Sequence, residues 1–104
     1  MIALDGLPGE DLVRRGLSDL ANGAESVEAL LVSIARPRMM RCEVDVPAMP
    51  STDVDLEIRL YRILGATHGR EAYTQYNALL RRLVSFERAL EQRWWSRRRK
   101  EASK

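Results

Sequence analysis

The residues with the most chemical potential stand at the end of the chain, in EQRWWSRRRKEASK, residues 91–104. Trp94 and Trp95 lie beside the consecutive cations Arg97, Arg98, Arg99 and Lys100, with Arg93 just upstream. Such a set suits a nucleic acid, because guanidinium groups pair with phosphates while an indole stacks on an unpaired base. It equally suits a protein interface, where tryptophan and arginine are the most enriched anchors. Its plainest use is to complement the dipole of a helix end and keep that end solvated. A membrane would require a sustained apolar face, and beyond Trp95 there is none, so no membrane partner is expected.

Other residue types offer less. His68, the single histidine, falls in the turn-like run Gly65-Ala66-Thr67-His68-Gly69, where a solvent-facing or capping role is expected. Cys42 is the single cysteine, so no internal disulfide can form; the reading is a buried, inert thiol in a reducing cytoplasm. Asp53, Asp55 and Glu57 alternate as in a calcium loop. The sixth-position glycine and the closing glutamate of that loop are missing, and the first turn of a helix accounts for the three acids. There is no glycine-rich phosphate loop, no Cys-x-x-Cys and no nucleophile elbow. The expectation is a chain that is not an enzyme, with no catalytic residue, no metal site and no cofactor.

Composition is that of a folded domain. Of 104 residues, 45% are hydrophobic and 31% charged, which is close to the average for globular chains and argues against global disorder. No apolar run reaches the roughly 18 residues needed to cross a bilayer. MIALDGLPGEDL has neither a basic start nor a long apolar stretch, so no secretory signal is expected. The net charge of +2 divides unevenly. Six basic residues against Glu101 place +5 on residues 93–104, and the remaining eleven basic and fourteen acidic residues leave −3 on residues 1–92. The expected organisation is therefore one helical domain over 1–92 and a basic, partly disordered helix end or tail over 93–104.

The chemistry has to be carried by helices. In residues 9–22, Leu12, Val13, Leu17, Leu20 and Ala21 share a face, acids occupy the first turn, and Asn22-Gly23 offers a left-handed stop. Gly16 in its interior either admits a close helix crossing or costs about 1 kcal/mol relative to Ala. Ser26–Arg36 is apolar nearly all round, with Ser26 as its cap, so it is expected to be surrounded by protein and paired with the first helix as a hairpin. Pro37 is expected to open a short further helix that packs Met39, Met40 and Cys42, followed by an extended piece through Val44 and Val46. Met39, Met40 and Met49 are expected to fill gaps beneath a loop.

Residues 52–64 admit two readings. Val54, Leu56, Ile58 and Leu60 alternate with charge as in a strand at 54–60; Leu56, Leu60, Ile63 and Leu64 follow helical spacing, with a Ser51/Thr52/Asp53 cap and Gly65 as a stop. The helix is preferred because alternation fails at Tyr61. Finally, Ala72, Tyr76, Leu79, Leu83, Phe86 and Leu90 form a heptad seam. A helix from Arg70 to Lys100 would be about 46 Å long, more than a small domain spans, so one end overhangs or is covered by a second copy.

Together these features predict an all-α fold: a small bundle of about four helices with a helical hairpin and a long C-terminal helix. The expected function is non-catalytic protein–protein interaction, as a homodimer or with another protein, through Val32, Leu83, Phe86, Leu90, Trp94 and Trp95. The alternative is nucleic-acid binding or regulation through Arg93, Arg97, Arg98, Arg99 and Lys100. A helix-turn-helix in the first two helices is disfavoured, since Glu25 and Glu28 would meet phosphate at the start of the second.

Overall fold

The computed structural model describes residues 4–49 and 55–102, and over them the chain is all-α. Helix α1 spans Glu10–Ala21, α2 Val27–Arg41, α3 Leu56–His68 and α4 Ala72–Ala102, with a single 3₁₀ turn at Gly69–Glu71 between the last two. No strand occurs among the described residues. The alternating stretch is helical from Leu56 onward; Val54 and the expected Ser51/Thr52/Asp53 cap lie outside the described residues.

Helix α2 organises the core. Ala29, Leu30, Leu31, Val32, Ser33, Ala35 and Met39 are all buried, so apolar groups must be supplied to it from every side. The closest supply is α1. A methyl group at Gly16 would collide with the carbonyl oxygen of Glu28 and with Val32 Cγ2, so the two helices cross where only a glycine leaves room. Of the two readings of Gly16, the close crossing holds. The connection is fastened at both ends. Ala24 N–H donates to the Asp19 carbonyl (2.8 Å) and Gly23 N–H to Leu20 (3.1 Å), a Schellman closure with Gly23 at φ 71°. The Ser26 hydroxyl then accepts from Ala29 N–H (3.0 Å) while donating to the Asp19 carboxylate (2.6 Å), which ties the start of α2 to the end of α1.

Pro37 does not open a new helix. It lies inside α2, which continues to Arg41. A proline there removes the N–H that would bond the Ser33 carbonyl, a cost of about 3 kcal/mol in an exposed helix. Burying Met39 and Cys42 beyond it offsets that cost. The helix closes with a second Schellman arrangement, Val44 N–H to the Met39 carbonyl and Glu43 N–H to Met40 (3.0 Å each), with Glu43 itself in the left-handed region at φ 64°. Beyond the cap, residues 44–49 form no regular element. Val44, Val46 and Met49 point inward, and Arg36 Nε holds the Val46 carbonyl at 2.9 Å. Met39 and Met49 fill the core as expected; Met40 does not, being 43% exposed.

Helix α3 is capped by Asp55, whose carboxylate accepts from Glu57 N–H (2.9 Å), and it runs through Gly65 to His68 instead of stopping at Gly65. The reversal comes at Gly69, whose φ of 56° with ψ of −118° is a conformation closed to residues with a Cβ. Helix α4 then folds back along α3, with the rings of Tyr61 and Tyr76 edge to face at 5.6 Å. Its heptad seam faces inward: Ala72, Leu83, Phe86 and Leu90 are buried, with Tyr76 and Leu79 packed on the core. At the other end, residues 4–9 lie against α4, burying Leu4 and Leu7 and bringing Gly9 beside the Arg82 carbonyl and Phe86.

The crossing at Gly16 yields a direct test. Ala is the better helix former by about 1 kcal/mol, yet Gly16→Ala should destabilise the protein by about 2 kcal/mol or more, because backbone and a β-branched side chain must both retreat. In thermal unfolding this is a fall in Tm of roughly 10 °C.

Candidate functional site

The elongated molecule, 53 × 27 × 20 Å, owes its long dimension to α4, which is about 46 Å in length. Leu90 is its last fully buried residue, and Trp95 to Glu101 are all exposed. The helix crosses the expected boundary at 92/93 without interruption.

The cationic residues divide by neighbourhood. Arg93 is turned back onto the body, its Nη1 donating to the Asp5 carbonyl at 2.8 Å. The reach of the N-terminal segment explains why it is half-buried. Arg97 pairs with Glu101 one turn on (3.5 Å). The Arg98 guanidinium lies over the Trp94 ring, 4.9 Å from its centroid, within cation–π range. Arg99 and Lys100 are exposed on the last turns. Arg93, Arg97 and Lys100 line one side of an open groove of about 560 Å³ that Gly6, Leu7 and Pro8 complete.

The tryptophans separate as two adjacent helical positions must. Trp94 is half-buried against the core, and its ring nitrogen, shielded from solvent, has no acceptor among the described residues. Trp95 meets it edge to face at 5.0 Å and is 55% exposed. Both rings, with Arg38, Arg41, Cys42 and Glu91, line a groove of about 410 Å³ between α2 and α4. Here Arg38 bridges Glu87 (3.4 Å) and Glu91 (3.5 Å). Burial holds the Glu87 carboxyl above the usual glutamate range, with Arg38 opposing and Glu91 reinforcing the shift. Burial also raises the Cys42 thiol, aided by Glu91, so it is a poor nucleophile at neutral pH.

Four expected interface residues must be corrected. Val32, Phe86 and Leu90 are 0% exposed and Leu83 is 2% exposed. They are spent on the chain's own core, since α1, α3 and the N-terminal segment cover the surfaces that periodicity left unassigned. Trp94 and Trp95 are the two that reach a groove.

In their place the structure offers residues that periodicity did not single out. Ile58 (51% exposed), Tyr61 (43%) and Tyr73 (64%) form an apolar patch on α3 and the start of α4. With Tyr76, Asp55, Glu57 and Arg62 they line a groove of about 620 Å³. Burial raises the Tyr76 hydroxyl, and the negative charges of Glu57 and Asp55 add to the shift. The signal was present in the sequence: once Leu56, Leu60, Ile63 and Leu64 are assigned to the core face of a helix, Ile58 and Tyr61 are left with nothing of the chain's own to cover them.

His68 is exposed at the end of α3, and Asp55 and Glu57 are used as a cap and a first-turn charge. Among the described residues no group of three or more His, Cys, Asp or Glu side chains is placed to hold a metal ion, and no helix is long and apolar enough to cross a membrane. Comparison with protein-family models, curated proteins and solved structures returns no match.

The raised pKa of Glu87 sets a sign for stability against pH. Between the ordinary glutamate range and its own higher value, the folded state binds more protons than the unfolded one, so stability falls as pH rises through that window. Glu87→Gln removes this contribution while Arg38 keeps Glu91. In urea titrations the variant should be at least as stable as the parent at pH 7, and any gap between them should close on acidification as Glu87 takes up its proton.

Proposed function

We propose that the chain is a small helical bundle working without catalysis as a protein–protein interaction module, and that it pairs with a second copy of itself through α4. One observation carries the reading: Ile58, Tyr61, Tyr73 and Trp95, four large apolar side chains, stand exposed on α3 and α4 although the core is already closed. Aromatic residues on a rigid helix lose little entropy on binding and are enriched at interface centres. The body, residues 1–92, presents Ile58, Tyr61 and Tyr73, and residues 93–104 add Trp95 on a basic appendage. The single cysteine suits a cytoplasmic location, and no membrane enters the reading. Light scattering at micromolar concentration should give twice the chain mass; a monomer mass up to about 100 μM would remove the homodimer, since dimers weaker than that bind by less than about 5.5 kcal/mol.

A second reading has its own support in the half-exposed Trp95 ring on a helix end that also carries Arg97, Arg98, Arg99 and Lys100. It makes the tail a contact for single-stranded nucleic acid. On this reading the chain binds single-stranded RNA or DNA with an affinity that falls steeply with salt. Truncation after Gln92 should abolish that binding, and binding that survives the truncation overturns the reading.

A further inference from the structure

One strip of α4 carries apolar side chains that the core leaves uncovered, and its ends are unlike. At about 100° per residue, Tyr73, Leu80, Val84 and Trp95 fall within a narrow sector away from the buried seam. Three grooves open along this sector in order. The first, about 620 Å³, holds Tyr73 with Ile58 and Tyr61 of α3. The second, about 440 Å³, is formed around half-buried Leu80 and Val84, with Arg88 at its edge. The third, about 410 Å³, holds Trp95 and Arg41.

Charge differs between the ends. Exposed Asp55 and Glu57 outnumber Arg62 at the first groove. At the third, Arg38 is held by Glu87 and Glu91 while Arg41 stands exposed beside Trp95, and Arg88 is exposed at the second groove one step back along the helix. A parallel copy would set carboxylates against carboxylates and arginines against arginines. Turned end for end, the same strip meets its complement at both ends, as a two-fold interface requires.

We propose that the second copy binds α4 antiparallel about a two-fold axis at Val84, so that each Trp95 enters the partner's groove at Ile58, Tyr61 and Tyr73. This proposal rests on the homodimer reading and gives it a register. Tyr73 and Trp95 stand 22 residues apart, about 33 Å along the axis, with Val84 at the midpoint. Arg41 and Arg88 of one copy then face the Asp55 and Glu57 end of the other.

Sedimentation equilibrium on the full chain and three variants tests the register. Val84→Glu places two like charges on the axis and should weaken dimerisation at least about tenfold, with far-UV circular dichroism unchanged because Val84 is only half-buried in one copy. Glu57→Lys leaves both ends basic, and Arg41→Glu with Arg88→Glu leaves both ends acidic. Each should self-associate several-fold more weakly than the parent, and an equimolar mixture of the two should recover a dimer. A parent dimer indifferent to Val84→Glu, or a mixture no tighter than its components, overturns the register while leaving the homodimer intact. Should Val84→Glu unfold the chain, the charge-altered pair decides alone. A monomeric parent overturns register and homodimer together.

Discussion

Helix α2 has almost nothing to offer water between Ala29 and Ala35, and the architecture follows from enclosing it. One neighbour is not enough for a helix that is apolar all round. Helix α1 takes one side at the contact that Gly16 opens, α3 and α4 take others, and the segment through Val44 and Val46 closes a further gap. The demand is strong enough to carry α2 through Pro37 and to hold Glu43 in a left-handed conformation at its end. Both are local costs of order 1–3 kcal/mol, offset by packing Met39, Cys42, Val44 and Val46.

Enclosure of α2 also determines what remains for function. Helix α4 contributes Leu83, Phe86 and Leu90 to the shared core, so its heptad seam lies inside the molecule. A heptad pattern signals that a helix has a partner and leaves open whether that partner belongs to the same chain. The surface left on α4 is the neighbouring sector, where Tyr73 and Trp95 project and Leu80 and Val84 are half-covered. The basic end is likewise more integrated than its composition suggests. Arg93 clamps the N-terminal segment through Asp5, Arg98 covers Trp94, and Arg97 pairs along the helix. Part of the +5 is thus engaged by the protein's own groups, while Trp95 keeps an open face.

Polar groups at the join between α2 and α4 mark where the core meets this surface. Glu87 is buried beside Arg38, which also reaches Glu91, and the three lie next to the groove that holds both tryptophans. A buried carboxylate is a weak source of stability. Its effect is to orient Arg38 across the two helices at the edge of the exposed strip, so the groove is lined by a side chain with a defined position.

The sequence by itself determined the helical class, the position of α1 with its glycine stop, the enclosure of α2 and the existence of the heptad seam on α4. Each follows from local chemistry or from periodicity, which act within one helix. Only the tertiary structure decided the role of Gly16, the passage of α2 through Pro37 and the assignment of Val32, Leu83, Phe86 and Leu90 to the core. It alone revealed the exposed group at Ile58, Tyr61 and Tyr73 and the link from Arg93 to Asp5. The reason is that periodicity gives the direction in which a side chain points from its own helix. Whether that direction ends in solvent or in a neighbour depends on contacts between residues as far apart as 5 and 93, which no local pattern encodes.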